Sequence, residues 1–297
     1  MALNKEVWIN QILQNFYPDD SFLKKTLNFS EFVDNNKIHI PSAGIDPQVL
    51  INNTTYPIKI VDRQDDDNII SLDKFETENT IVRRPDAIEY SYDKLESVIS
   101  QHRSTLRKSV AMKAIHAFAP TVDDVHTPVI RTTGNALNGR KVLKLDDILA
   151  LKERFDDAEI PMEERYLVLH PKHVSDLLRE DIKLFKDITN LTDGEPMKFA
   201  GFGMFSFSQM PTYKYKTGEL KKVPFGSAAT ARFASVAFYG KEVMRADGDI
   251  YMYSKVDDPE ERATIVGFDK RFIALPIRNI GIGAIVSDVS IGDVSDE

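Results

Sequence analysis

Hydrophobic residues recur every three or four positions between residues 91 and 120, with polar residues between them. The apolar series comprises Leu95, Val98, Ile99, His102, Leu106, Val110, Ala114 and Phe118. This spacing predicts one face of an amphipathic helix. Asp93 and Glu96 form a capping-box pattern at its start, and Pro120 marks its end, because the residue before a proline avoids the helical region. We therefore predict a helix about 40 Å long, buried on one side and polar on the other.

The ninety residues before this helix show weaker patterns. Residues 1–50 contain scattered apolar side chains without a regular local partner, so we predict an arm that packs on distant elements or on a neighbouring subunit. From residue 56 to residue 84 polar and apolar residues alternate as in short strands, with three aspartates at 65–67 between the first two segments. So little apolar content cannot form a separate core, and we predict an extended hairpin that projects from the subunit.

Both helical and strand patterns follow the long helix. A second amphipathic helix is predicted from Leu145, with Ile148, Leu149, Lys152 and Phe155 on one face. Residues 165–170 predict a buried strand that runs into a helix at Pro171, since proline suits the first helical position. Residues 213–223 predict a lysine-rich hairpin, and the last third of the chain is mostly β. The fold class is therefore α+β.

Composition limits the function. The chain has 297 residues, a formal charge of -8 and no cysteine. Disulfides, thiolate zinc sites and cysteine nucleophiles are therefore excluded, and the acidic balance argues against a dedicated nucleic-acid-binding protein. No apolar run has the length of a membrane span, and the first residues lack a signal-peptide pattern, so we expect no membrane contact and a cytoplasmic site of synthesis.

We find no catalytic, cofactor or metal site in the sequence. Residues 134–141 approach a phosphate-binding loop, but Arg140 stands at the lysine position, and Lys141 is followed by Val142 and not by Ser or Thr. This favours a surface loop. His170 and His173 lack converging carboxylates or thiolates; we expect His170 near a helix N-cap and His173 on the surface. The three consecutive aspartates point in diverging directions, unlike the alternating ligands of a calcium loop.

One basic patch remains as a candidate binding surface. It is a basic loop formed by Lys214, Lys216, Lys221 and Lys222. These lysines either contact phosphate or belong to a solvated hairpin, and the sequence leaves both interpretations open.

Three segments resemble the major capsid protein of tailed bacteriophages, which has the Hong Kong 97-like fold. Residues 89–102 (EYSYDKLESVISQH) with 117–120 (AFAP) resemble the family's spine helix. Residues 160–171 (IPMEERYLVLHP) resemble its axial-domain strand and the helix that follows. Residues 237–240 (AFYG), 257–259 (DDP) and 278–281 (RNIG) resemble its closing strands. The likeness spans almost the whole chain and depends on the order and spacing of these segments.

The resemblance implies a division of the chain. Residues 1–50 would be the N-terminal arm, 51–90 the extended loop, and 91–120 the spine helix of the peripheral domain. Most of 121–240 would form the axial domain. Residues 241–297 would be closing strands of the peripheral domain, with room for a return to the axial domain.

The resemblance also implies a function without enzymatic activity. Hexamers and pentamers of the chain would form an icosahedral shell in the virion, assembled in the cytoplasm of a bacterial host around double-stranded DNA bound without sequence specificity. Further partners would be a separate scaffolding protein, unless the N-terminus is already processed, a portal, and decoration proteins. An encapsulin-type compartment has the same fold and is the alternative, and a soluble α/β enzyme is a distant third.

The resemblance directs attention to the extended loop as a clasp between subunits. The candidate intersubunit contacts are Ile69, Ile70, Leu72, Phe75, Arg83 and Arg84. Some family members crosslink a lysine of this loop to a neighbour; Lys59 and Lys74 lie in the corresponding region, but no motif fixes a partner, and we do not expect the crosslink.

Overall fold

The computed structural model describes residues 2–13, 16–18, 21–42, 66–83, 94–188, 191–192, 195–216, 219–227 and 232–289. The helices within these residues are α1 (Ala2–Leu13), α2 (Lys94–Phe118), α3 (Leu145–Asp157), α4 (Pro171–Glu180) and α5 (Ile182–Phe185), with 3-10 turns at Phe22–Lys25 and Ser30–Phe32. The first strands are β1 (Leu27–Asn28), β2 (Val33–Asp34), β3 (Lys37–Ser42), β4 (Asp66–Ser71), β5 (Asp73–Glu76), β6 (Thr80–Arg83), β7 (Val129–Arg131), β8 (Ala136–Leu137) and β9 (Arg140–Lys141). The later strands are β10 (Arg165–Leu169), β11 (Leu191–Thr192), β12 (Glu195–Pro196), β13 (Lys198–Phe199), β14 (Phe202–Ser206), β15 (Thr212–Lys216), β16 (Glu219–Lys222), β17 (Arg232–Tyr239), β18 (Val243–Asp258), β19 (Ala263–Pro276) and β20 (Ile282–Val286).

The long helix predicted from the apolar periodicity is confirmed as α2. Its buried face includes the predicted residues Val98, Ile99, His102, Leu106, Val110, Ala114 and Phe118, each 7% exposed or less, together with Ala111 and Ile115. The helix ends two residues before Pro120, as the proline rule requires. Asp93, the predicted cap, lies outside the described residues.

A long antiparallel hairpin of β18 and β19 forms the first sheet, in the order β1-β18-β19-β5, with β6 pairing further along β19. One face of this sheet contributes Ile250, Met252, Val266 and Phe268 to the same core cluster as the buried face of α2. The helix therefore covers one face of the hairpin. On the opposite face Met244, Ala246 and Ile273 pack with Ile38 and Leu72, and the part around Tyr251 and Tyr253 stays open.

The second sheet has the order β13-β14-β10-β17-β15-β16, with β20 on β17 and β7 on β20. Alternate residues of β10 face opposite sides: Tyr166 and Val168 join the cluster around α2, whereas Leu167 and Leu169 pack in a second cluster with α3 and α4. The strand is buried on both faces, which explains why its sequence is a continuous apolar run.

The chain passes between the two sheets three times, through residues 119–128, 240–242 and 277–281. The last passage brings β20 back beside β17, so the closing strand lies in the sheet formed mainly by residues 121–240. The second and third passages are joined, because the Ile277 N–H donates to the Glu242 carbonyl at 2.8 Å. The Arg278 guanidinium also pairs with the Glu242 carboxylate.

The first ninety residues differ from the prediction in how their strands pair. The strands that form a hairpin are β3 and β4, paired from Lys37↔Ser71 to Ser42↔Asp66. The hairpin therefore begins inside the segment assigned to the arm, and Asp66 and Asp67 belong to a strand and not to a tip. The strands β5 and β6 instead pair with β19 of the same subunit. The predicted strand around residue 58 lies outside the described residues.

Substitutions at Leu106 test whether the buried face of α2 stabilises the subunit. Leu106 is 2% exposed, so we expect Leu106→Ala to lower the free energy of unfolding by about 2–5 kcal/mol. Leu106→Asp should yield insoluble protein, because an unpaired charge would enter the core. The matched control, Arg107→Ala on the polar face, should change stability by less than about 0.5 kcal/mol. Thermal and denaturant unfolding measure Leu106→Ala and the control, and the soluble fraction after expression measures Leu106→Asp. A soluble Leu106→Asp variant that melts like the parent would disprove this packing.

Candidate assembly surfaces

Three of the predicted intersubunit contacts pack in or against the subunit's own core. Leu72 is 4% exposed and packs with Ile38, Met244, Ala246 and Ile273. The half-buried Phe75 packs edge-on against Phe272, with ring centroids 6.2 Å apart. Ile70 is also half-buried and packs against the Leu72 cluster. The expectation that this segment adds little to the subunit core is therefore wrong for these residues, because they pack against side chains of β18 and β19.

Ile69 and Arg83 remain open to a neighbour. Ile69 is 57% exposed. Arg83 is exposed, and its guanidinium lies 3.4 Å from the Glu261 carboxylate at the end of the long hairpin. Their role as intersubunit contacts stays a prediction. Arg84 lies outside the described residues.

The open face of the first sheet exposes further large side chains that the sequence analysis missed. Tyr251, Tyr253 and Ile81 are 53%, 56% and 40% exposed, respectively. Tyr253 donates a hydrogen bond to the Asp269 carboxylate at 3.0 Å on the same face. The signal was the alternation in residues 250–256, whose odd-numbered members point away from α2.

The arm packs on distant elements of its own subunit, as one of the two predictions for it stated. Its residues Ile12, Phe16, Phe22 and Leu23 are buried in the cluster around α2. The Tyr17 hydroxyl donates to Asp247 Oδ1 at 2.6 Å, and Lys270 Nζ lies 2.6 Å from the same oxygen. Burial and the adjacent carboxylate raise the pKa of Tyr17 above its ordinary value. An ion pair on the long hairpin thus fixes the part of the arm that follows α1.

The predicted basic loop is confirmed as the β15–β16 hairpin, but its four lysines differ in their surroundings. Lys214 and Lys216 are exposed, and Lys221 lies 3.4 Å from Glu219. Lys222 points to the end of α2, where its ammonium donates to the carbonyls of His116 and Ala119. Its burial lowers the pKa to about 8. Lys222 therefore caps a helix and is no part of an exposed patch.

The loop that approaches a phosphate-binding motif has a structural role. Arg140 forms a bidentate pair with Asp176 at 2.6 and 2.8 Å. The Gly134 N–H donates to the Val142 carbonyl, and a side chain at Gly134 would meet that oxygen at 2.4 Å. The glycine is required by this close approach, and the basic residue is neutralised, so the loop has no free cradle for a phosphate.

His170 caps α4 as expected: its imidazole accepts the Lys172 N–H at 3.1 Å. The expectation that His173 is on the surface is wrong. His173 is fully buried, with Nδ1 2.6 Å from Ser235 Oγ and Nε2 2.8 Å from Ser287 Oγ. Burial holds the pKa of His173 well below its ordinary value. Within the described residues, no three histidine or carboxylate side chains converge on a metal position.

A cleft of about 800 Å³ lies between the 3-10 turn of the arm and the loop after α3. Its charged lining residues are Lys24, Lys25, Glu163, Glu164, Arg165, Glu195 and Lys198. Charges of both signs pair across it, as Lys25 and Glu195 do at 2.5 Å. The cleft is thus lined by paired charges of the arm and of the second sheet.

Among the described residues, no helix combines the length and the hydrophobicity that a membrane-spanning segment needs.

The chain has the fold of viral capsid subunits. A chain in the capsid of the cyanophage P-SCSP1u matches with a TM-score of 0.62 over 90% of this chain and 87% of its own length, at 15% identity. A chain in the capsid of Ralstonia phage GP4 matches with a TM-score of 0.62 over 92% and 88%, at 9% identity. A chain of an encapsulin complex from Synechococcus elongatus matches with a TM-score of 0.58 over 96% and 92%, at 10% identity.

No protein-family model matches the chain, and no curated protein matches its sequence. The similarity is therefore one of structure, and it extends over most of the length of each matched chain. The α+β, Hong Kong 97-like capsid fold predicted from the sequence is confirmed.

Burial of its histidines should make the subunit sensitive to acid. Burial lowers the pKa of His102, His116, His170 and His173, to about 4 for His170. Near pH 6 the unfolded chain binds protons that the folded chain does not, so the free energy of unfolding should fall as the pH drops below about 6.5. Melting temperatures measured from about pH 8 to pH 5 test this expectation.

Two variants separate the contributions. Among the residues that the structure describes, none is a hydrogen-bond partner of the buried Nε2 of His102. We therefore expect His102→Leu to change stability at neutral pH by less than about 1 kcal/mol and to reduce the acid sensitivity. His173→Leu removes the partner of the Ser235 and Ser287 hydroxyls and should cost about 1–3 kcal/mol at neutral pH. An unchanged pH dependence in the His102 variant would contradict this account.

Proposed function

We propose that the chain is the major capsid protein of a tailed bacteriophage and assembles into an icosahedral shell. The observation that carries the proposal is the match to phage capsid subunits over about nine-tenths of both chains. The exposed Ile69, Ile81, Tyr251 and Tyr253 supply apolar and aromatic surface of the kind that subunit interfaces use. The role of the chain is structural and not enzymatic.

The proposal includes the partners of such a shell. Hexamers and pentamers of the chain would enclose double-stranded DNA without reading its sequence, with a separate scaffolding protein during assembly and a portal and decoration proteins in the particle. The shell would assemble in the cytoplasm of a bacterial host and be found in the virion. The resemblance of three sequence segments to phage capsid proteins favours this function over that of an encapsulin.

Electron microscopy of the purified protein, with an assay of the particle contents, tests the function. We expect closed shells or hexameric and pentameric rings, and DNA inside shells that are recovered from phage particles. A shell that contains cargo protein and no DNA would identify an encapsulin-type compartment. A compact monomer under all conditions, including co-expression with phage assembly proteins, would contradict both assignments.

The connection between β3 and β4 provides a second prediction. Ser42 and Asp66 are paired in the hairpin, so a short Gly-Ser linker can replace residues 43–65 while β3 to β6 keep their partners. Because loop length changes closure entropy only slowly, this variant should fold with nearly the parent melting temperature. If the hairpin is an intersubunit clasp, the same variant should form no shells.

The measurement pairs thermal melting with sedimentation. Wider deletion of residues 66–83 serves as the contrast, since it removes Leu72, Phe75 and Val82 from the core and should prevent folding. Normal particles from the linker variant would show that residues 43–65 are not needed for assembly.

A further inference from the structure

The exposed face of α2 is basic in an otherwise acidic chain. Residues 97–122 contain no Asp or Glu, although the chain has 46 acidic residues among 297. Over its length α2 has five basic residues and one acidic residue, a formal charge of +4, whereas the whole chain carries -8. Solvent-exposed helix faces usually carry both acidic and basic side chains, so a face with almost only basic side chains indicates a specific role.

The chemistry of this face is that of a hydrogen-bond donor surface. Ser100, Gln101, Ser104, Thr105 and Lys108 are exposed, and Arg103 and Arg107 flank them, half-buried. The side chains of Ser100, Ser104 and Thr105 are short, so the surface between the basic side chains is nearly flat. From Arg103 to Lys113 the cations extend about 15 Å along the helix axis.

Two of the cations have no partner within the part of the chain that the structure describes. Arg107 and Lys108 form no ion pair with any described carboxylate. Lys113, by contrast, lies 3.5 Å from Asp73 and over the Phe225 ring at 4.8 Å. The middle of the helix thus presents two unneutralised charges to its surroundings.

The same face lacks what a protein partner needs. None of the large hydrophobic side chains that are exposed in the described residues lies on α2. Stable protein interfaces are centred on buried aromatic or aliphatic anchors. A phosphate backbone needs no such anchors; it is held by Arg, Lys and hydroxyl donors, the residue types that form this face.

We propose that the exposed face of α2, centred on Arg107 and Lys108, contacts the phosphate backbone of double-stranded DNA. The inference rests on the proposed shell function, and it requires this face to lie on the inner side of the shell. The acidic remainder of the subunit keeps the contact weak, so the DNA is held near the shell and can still slide during packaging. Recognition is independent of sequence, because backbone contacts carry no base information.

Fluorescence anisotropy of the full-length, unassembled protein with short labelled duplexes of two unrelated sequences tests the proposal. The test variant is Arg107→Gln/Lys108→Gln. The matched control is Lys214→Gln/Lys216→Gln, which removes two exposed lysines from the hairpin, the competing basic surface. Melting temperatures verify that both variants fold.

We expect both sequences to bind alike and the parent affinity to fall steeply between about 50 and 200 mM salt. Loss of two phosphate contacts should lower the slope of log affinity against log salt by about 2 and weaken binding at low salt by roughly tenfold or more. The hairpin control should retain the parent slope.

Three results would overturn the proposal. Unchanged affinity in the α2 variant would show that the face does not bind DNA. An equal loss in the hairpin control would assign the effect to net charge. Unchanged DNA affinity with loss of shells in the α2 variant would identify the face as a protein-binding surface. Shell formation by the parent is scored separately by electron microscopy, so its absence counts against the proposed function and not against the DNA contact.

Discussion

The burial of one face of α2 is the interaction on which the rest of the structure depends. Val98, Leu106 and Phe118 pack in a single cluster with the β18–β19 hairpin, the inner strands of the second sheet and the arm. Each of these elements has a hydrophobic face that it cannot bury alone. Because α2 is a single helix of 25 residues, it contacts all of them. Removing its apolar side chains would therefore expose hydrophobic surface on both sheets at once.

The sequence predicted those elements whose signals are local. The period of α2, the apolar run of β10 and Pro171 at the start of α4 all depend on neighbouring residues. The prediction of the buried face of α3 was partly wrong. Leu149 is 42% exposed, and Leu151, which the prediction omitted, is fully buried. His173 was misplaced because the hydroxyls that satisfy it come from distant strands, which no local pattern reveals.

The segment before α2 was harder to predict for the same reason. Strands β5 and β6 are short and polar, and they are stable because β19, almost two hundred residues later, offers its edge to both. Alternation identified strands but gave no information about their partners. The segregation of basic residues on α2 can be read from the sequence. Which of these residues are exposed, and that Lys222 bonds to the end of α2 and so leaves the basic loop, can be learned only from the packed structure.

The three passages between the sheets bear on how the subunit carries mechanical load. Two of them, residues 240–242 and 277–281, are short and are tied together by the Glu242 carbonyl and carboxylate. An outward force on one sheet would therefore reach the other along parallel covalent tethers and through the shared core, and not through a single flexible joint. In a shell under internal pressure, such a subunit would therefore resist relative movement of its two sheets.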